Sequence, residues 1–256
     1  LIATDKTGTL TCNELTVREV CLPNGELFPV IGQGFSPHGE VLHAGRQVEL
    51  KEHPQLAATV RAAVLCNEAD LHHRNGEWVW RGDAVDIAAL VLGAKLGMQR
   101  EPTLDAFPQV SSIPFESEHQ FSASFHQVGE RVEVFVKGAP ERVLGMCGDQ
   151  LAQADRERLN QMAIGMAARG LRVLAVASGQ LAEALHPEDV PPQPKNLTLL
   201  GFLGMIDPLR AGAREAVAEC QQAGVLVSMV TGDHRVTALA IARDLGLADR
   251  DEQVVT

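Results

Sequence analysis

Asp5 stands directly after a short apolar run, Leu1-Ile2-Ala3, and opens the string Asp5-Lys6-Thr7-Gly8-Thr9-Leu10-Thr11. An aspartate at the carboxyl end of a parallel strand, followed by a Thr/Gly turn, is laid out as a carboxylate nucleophile, and the electrophile it would attack is phosphorus. The mixed anhydride so formed is high in energy. Its lifetime depends on the residue two positions on, where a second Asp would act as acid/base and speed hydrolysis. That residue is Thr7. With no carboxylate there to activate water, the acyl phosphate is expected to persist long enough to do something other than hydrolyse at once.

Such a nucleophile needs a strand end to hold it. Three segments share one grammar, in which an apolar run ends in a short polar motif and a helical pattern or an inserted domain follows. The first is Leu1-Ile2-Ala3 into Thr4-Asp5. The second covers residues 197–206 and ends in Asp207-Pro208-Leu209-Arg210, with a helical pattern over 213–223 stopped by Gly224. The third covers 225–230 and ends in Thr231-Gly232-Asp233, before an Ala/Ile/Leu-rich helix closed by Gly246. Strand then helix, repeated, predicts a parallel sheet whose polar strand ends gather into one site.

Residues 18–195 interrupt this pattern with a different texture. Strand-like alternation at 77–80, 120–126 and 131–136 is interleaved with helical patterns at 54–66, 84–96 and 155–168, which predicts an inserted α+β domain. Its return linker carries Pro187, Pro191, Pro192 and Pro194 and is expected to be extended and stiff.

Composition narrows the function classes. The chain has 256 residues and a net charge of −11, which argues against a general nucleic-acid binder that displaces counterions with a basic stripe. Five cysteines lie far apart without a CxxC pair, as expected of reduced thiols used in packing. No stretch approaches the roughly 20 apolar residues that cross a bilayer, so this chain is expected to be soluble. His72-His73 lacks a nearby ligand pair at zinc-site spacing and is expected in a solvated loop.

The string DKTGTLT resembles, at all seven positions, the phosphorylation motif of P-type ATPases, the ion and lipid pumps of the haloacid dehalogenase superfamily. Thr231-Gly232-Asp233 is similar to that family's TGD motif, and Asp207-Pro208-Leu209-Arg210 to its DPPR hinge, with Leu209 in place of the second proline. Lys137-Gly138-Ala139-Pro140-Glu141 matches KGAPE throughout. The region Leu65-Cys66-Asn67-Glu68-Ala69 resembles LCNDA of the calcium- and sodium/potassium-type branch.

The resemblance implies an α/β chain, with a partial Rossmann-like (haloacid dehalogenase-like) phosphorylation domain at 1–17 and 196–256. An inserted α+β nucleotide-binding domain with an antiparallel sheet would occupy 18–195. It makes Asp5 the phosphorylated nucleophile, with Lys6, Thr7, Thr231, Gly232 and Asp233 as the remaining catalytic residues, and it has Asp5 and Thr7 hold Mg²⁺. It places Phe115 against adenine, Lys137 and Gly138 in the adenosine pocket with Asp86, Arg172 at the β-phosphate, Asp207 near the ribose and Arg210 near the phosphates. ATP is then the substrate and Mg²⁺ the cofactor, at the cytoplasmic face of the cell membrane. Transmembrane and actuator domains of the parent pump are the implied partners.

Departures from the family pattern qualify these expectations. Asp86 and Val85 replace Glu and Thr in the G-(D/N)-x-T-E segment, and Gln120 replaces a Lys or Arg, so nucleotide affinity is expected to be weak. The family's catalytic lysine and GDGxND motif are expected beyond Thr256, so this polypeptide alone is expected to bind nucleotide without completing a pump cycle. Two other readings stay open: a soluble phosphatase of the same superfamily with a large cap, and a nucleotide-binding module alone. An open strand edge also invites pairing with a second copy.

Overall fold

The computed structural model describes residues 1–74, 76–148, 151–181, 185, 188–232 and 235–253. Strand β1 (Ile2–Asp5) pairs in parallel with β13 (Val227–Val230), with Ile2 opposite Val227 and Asp5 opposite Val230. Helices α6 (Ala213–Gln222) and α7 (Arg235–Asp244) accompany this pair. Their small core joins Leu10, Ala213, Val217, Ile241 and Leu245, the first two helical members one turn apart on α6.

The bulk of the chain forms a seven-stranded antiparallel sheet. Its strands are β2 (Thr16–Cys21), β3 (Leu27–Pro29), β8 (Gln109–Glu116), β9 (Phe121–Val128), β10 (Arg131–Gly138), β11 (Arg172–Leu181) and β12 (Thr198–Ile206). They lie in the order β3-β2-β12-β11-β10-β9-β8. Period-2 alternation sends side chains to two cores. Val132, Val134 and Val136 of β10 face α4 (Pro140–Met146) and α5 (Gln153–Ala167), whereas Phe135 faces α1 (Pro54–Leu65) and α2 (Ala84–Lys95). Helix α3 (Arg100–Ala106) and the hairpins β4 (Leu42–His43) with β5 (Arg46–Gln47) and β6 (Asp70–Arg74) with β7 (Glu77–Arg81) complete the fold.

Two expectations are corrected. Residues 198–206 do not extend the parallel sheet: β12 runs antiparallel to β2 and β11. The reason is that an apolar strand buried on both faces carries no record of its neighbours' direction. The large sheet thus includes both β2 and β12. His72 and His73 stand on β6 rather than in a loop, with His73 edge-on to Trp78 across the hairpin. Residues 191–195 of the Pro-rich linker form neither helix nor strand, while Pro187 lies outside the described residues. Among the described residues, no helix is long and apolar enough to cross a membrane.

The chain passes twice between the parallel pair and the large sheet, and the two passes are hydrogen-bonded to each other. Thr11 bridges Leu209, the Cys12 N–H donates to the Pro208 carbonyl at 2.9 Å, and Thr16 pairs with Ile206.

Candidate functional site

A cavity of about 400 Å³ opens between β8, β9, the end of β10, the start of α2 and the segment after α1. Five residues singled out from the sequence line it: Asp86, Phe115, Lys137, Gly138 and Arg172. Lys137 arrives from the last turn of alternation on β10, opposite Ser122 of β9, and is buried, its side chain 6 % exposed. A buried ammonium must be paired and hydrogen-bonded. Here Lys137 Nζ lies 2.5 Å from Asp86 Oδ1 and also donates to the Cys66 carbonyl.

Asp86 is fixed from several sides. Asp83 caps α2 by accepting from the Val85 N–H at 2.8 Å, which sets Asp86 in the helix's first turn. Asp86 Oδ2 accepts the Glu68 N–H at 2.8 Å, and its backbone carbonyl accepts from Asn67 Nδ2 at 2.9 Å. Asn67 Oδ1 in turn accepts the Ala69 N–H at 2.9 Å, a side-chain turn of the kind Asn favours after a helix. Cys66 is buried beside Ser122, and burial pushes its thiol above the ordinary range although the Lys137 charge pulls it down.

Phe115 differs from these neighbours in being 57 % exposed. It sits where the β8–β9 register shifts between Ile113 and Glu116, and such an irregularity re-aims a side chain. An exposed ring at a cavity mouth is a face for a flat ligand. Gly138 has a packing reason to be glycine: a Cβ there would come within 2.4 Å of the Gln120 carbonyl and 2.7 Å of Phe121 Cβ. Its sheet neighbours, before any ligand, demand the missing side chain. Gln120 itself turns at φ +59 between β8 and β9, and its carbonyl accepts the Ala139 N–H at 2.9 Å.

The second cluster surrounds Asp5. Asp5 ends β1 exposed, and its register with Val230 puts Thr231 and Gly232 beside it at the same end of the parallel pair. Asp233 lies outside the described residues. The loop after Asp5 turns at Gly8, φ +73, a conformation glycine adopts without steric cost. It is tied down by residues of the 207–210 segment. Asp207, 8 % exposed, accepts from Thr11 Oγ1 at 2.5 Å through Oδ2, while its buried Oδ1 has no partner among the described residues. Arg210 donates through Nε to the Thr11 carbonyl at 3.1 Å and through Nη2 to the Gly8 carbonyl at 2.7 Å. Asp207 and Arg210, expected at ribose and phosphates, therefore hold the Asp5 loop and stand apart from the larger cavity.

Arg172 belongs to both places. Exposed at the start of β11, it lines the larger cavity and also a smaller one of about 180 Å³ walled by Lys6, Thr7, Asp83 and Asp207. The sequence did not single out the Cys66 carbonyl, the Asn67 amide or the Glu68 N–H as parts of the site. The Asn two residues after the end of α1 is the signal available.

A family model described as P-type ATPase, cytoplasmic domain N, matches residues 55–212. The probable cation-transporting ATPase F of Mycobacterium tuberculosis is 39 % identical over 263 residues, covering 98 % of this chain and 28 % of the mycobacterial protein. The cation-transporting ATPase pma1 of Synechocystis is 38 % identical over 259 residues, covering 97 % of this chain and 28 % of its own. The calcium-transporting ATPase type 2C member 1 of Bos taurus is 35 % identical over 268 residues, covering 100 % and 26 %. The chain thus spans a little over a quarter of the length of these curated relatives.

Proposed function

Because the chain belongs to the P-type cation-transporting ATPase family, we propose that its larger cavity binds ATP and that, in the full-length protein, Asp5 receives the γ-phosphoryl group. The observation that carries this reading is the convergence of Lys137, Asp86, Phe115 and Arg172 on one cavity, with Arg172 shared by the smaller cavity that reaches the Asp5 loop. In this reading Phe115 stacks on the base, Lys137 meets its polar edge, and Arg172 supplies fixed donors to the phosphates.

In the transfer, an Asp5 carboxylate oxygen attacks the γ-phosphorus, the bond to the bridging oxygen breaks, and ADP leaves with the electron pair. Thr231 and Gly232, beside Asp5 at the strand end, are read as the donors that cradle the phosphoryl group, with Lys6 and Asp233 completing the set. Asp5 carboxylate and Thr7 carbonyl are hard oxygen donors of the kind Mg²⁺ takes while keeping waters and phosphate oxygens, and the bound ion would neutralise phosphate charge. Thr7 offers no base to water, so the aspartyl phosphate outlives its formation and can drive transport. The nucleotide-binding domain then runs from β2 to β12. The phosphorylation domain, read as haloacid dehalogenase-like, takes β1 with its loop and the residues after Ile206. The cargo is a cation, and the calcium named for the bovine relative is the first to test. The chain would work at the cytoplasmic face of the membrane, beside the transmembrane and actuator domains of the parent.

Two measurements test this. Calorimetric titration with ATP is expected to show weak binding that Phe115→Ala or Arg172→Ala reduces, and identical isotherms for all three proteins would remove the site. In the full-length protein, ATP is expected to give an acid-stable, hydroxylamine-sensitive phosphoenzyme that Asp5→Asn abolishes. Labelling that survives the substitution would take Asp5 out of the mechanism.

A further inference from the structure

Hairpin β6–β7 stands outside the large sheet as a two-stranded sheet of its own, a size that is marginal without further strands. Its register runs from Asp70 opposite Arg81 to Arg74 opposite Glu77 without a bulge. Alternate residues of β7 therefore bond to β6, and the others turn N–H and C=O toward the free edge. Among the described residues, no hydrogen bond outside this ladder involves the backbone of residues 77–81. Natural sheet edges are blunted by proline, lysine or a bulge. The outer strands of the large sheet follow that rule: β3 ends in Pro29, and β8 carries Pro114 within a register shift. β7, Glu77-Trp78-Val79-Trp80-Arg81, has none of the three, and its Val79 and Trp80 are 50 % and 44 % exposed.

The sequence of β7 is complementary to itself. Antiparallel pairing centred on Val79 sets Glu77 opposite Arg81 of a second copy, Trp78 opposite Trp80, and Val79 opposite its counterpart. No other centre aligns both charge pairs. Opposite charges and aromatic pairs directly across a ladder are favourable. The charge pattern also extends beyond the two central strands. Within each hairpin Asp70 faces Arg81 and Arg74 faces Glu77, so a row across four strands would run Asp70, Arg81, Glu77, Arg74, with the sign alternating at every step. On the other face Trp80 lies edge-on to Phe35 at 5.4 Å and Trp78 edge-on to His73 at 5.1 Å, so both indoles are held before a partner arrives.

We propose that the free edge of β7 is a docking surface for a second copy of this chain. Two hairpins join through β7 into a continuous four-stranded antiparallel sheet, in the order β6-β7-β7-β6, about a two-fold axis through Val79.

Trp78 and Trp80 are the two tryptophans of the chain, so indole emission reports on β7 alone. As the 256-residue chain is concentrated, sedimentation is expected to show a monomer–dimer equilibrium half complete near about 100 μM, in the range of a small transient interface. The emission is expected to shift to the blue in step. Val79→Lys sets two ammonium groups against each other and is expected to leave a monomer with an unchanged far-ultraviolet circular dichroism spectrum. Glu77→Arg and Arg81→Glu each place like charges across the ladder and are expected to be monomeric alone, whereas an equimolar mixture of the two restores both charge pairs and the dimer. A wild-type chain that stays monomeric up to about 1 mM overturns the proposal. So does a dimer that survives both Val79→Lys and Glu77→Arg, which would move the contact to another surface such as the exposed Leu1, Ile2, Leu226 and Val230. A mixture of the two charge variants that remains monomeric overturns the antiparallel pairing on Val79.

Discussion

The two ends of the proposed reaction are built differently. The cavity that would hold the base sits on a seven-stranded sheet with a core on each face, and its Lys137–Asp86 ion pair is formed before any ligand arrives. The Asp5 cluster sits on two parallel strands with a five-residue core, and Leu1, Ile2, Leu226 and Val230 beside it are exposed. Its order comes from outside its own strands, through Asp207 and Arg210. The geometry of the larger cavity is thus intrinsic to one region, whereas that of the Asp5 loop is lent to it by Asp207 and Arg210. A receiving group that must meet successive partners gains from being held by contacts that can be remade.

The largest effect is expected at the buried ion pair. Lys137→Ala strands Asp86 and should cost about 3–5 kcal/mol of global stability, read from denaturant unfolding. A loss no greater than that of a surface substitution would mean that the cavity is not prebuilt. Next, Thr11→Val takes from Asp207 its hydroxyl donor and leaves that carboxylate without a hydrogen-bond partner among the described residues, at about 1–3 kcal/mol. The expected signature is faster hydrogen exchange at the Gly8, Thr11 and Arg210 amides with the large sheet unchanged. Equal acceleration in both regions would show that they open as one unit, and the contrast between them would fall.

Sequence reading located the local strings of both clusters and missed what joins them. KGAPE, Phe115 and DKTGTLT are contiguous, and a turn or strand end can be read from the residues that make it. The partnership of Asp86 with Lys137 spans most of α2, all of α3 and strands β8 to β10, and no local pattern encodes it. The same holds for β12, whose neighbour β2 pairs Glu19 with Gly204 across most of the chain. Asp207 and Arg210 had the right chemistry for phosphates and ribose. Equally suited to carbonyls and a hydroxyl, they were used on the Asp5 loop, a choice that depends on which groups the fold brings near.

A smaller effect separates the regions by pH. His126 on β9 is buried in the large sheet, donating through Nδ1 to the Phe107 carbonyl at 2.8 Å and accepting at Nε2 from the Ser124 hydroxyl at 2.8 Å. Burial lowers its pKa below the ordinary value, assisted by the Arg100 charge and opposed by the Phe107 hydrogen bond. The unfolded chain therefore takes up a proton that the folded one refuses. Stability is retained above the unfolded pKa near 6.5 and lost as pH falls through it, by up to about 1.4 kcal/mol per pH unit. Replacing His126 with Gln should flatten that slope in the large sheet's unfolding, and a slope unchanged by the substitution would assign it elsewhere. The smallest stability effect is expected for Phe115→Ala, within about 0.5 kcal/mol of wild type for an exposed ring, while nucleotide affinity falls about tenfold. A fall in stability matching the fall in affinity would make Phe115 part of the scaffold.

The paired passage of the chain between the two sheets, with Thr11 bridging Leu209 and Thr16 beside Ile206, has a mechanical meaning. Two separate connections would let one body swivel about either strand. A hydrogen-bonded ribbon is instead soft to bending across its flat face and stiff to splaying, since splaying stretches the cross-strand bonds. Swinging motion between the sheets is thereby channelled into one plane, and Arg172, close to the ribbon on β11, opposite Met205, would sweep an arc in that plane rather than wander.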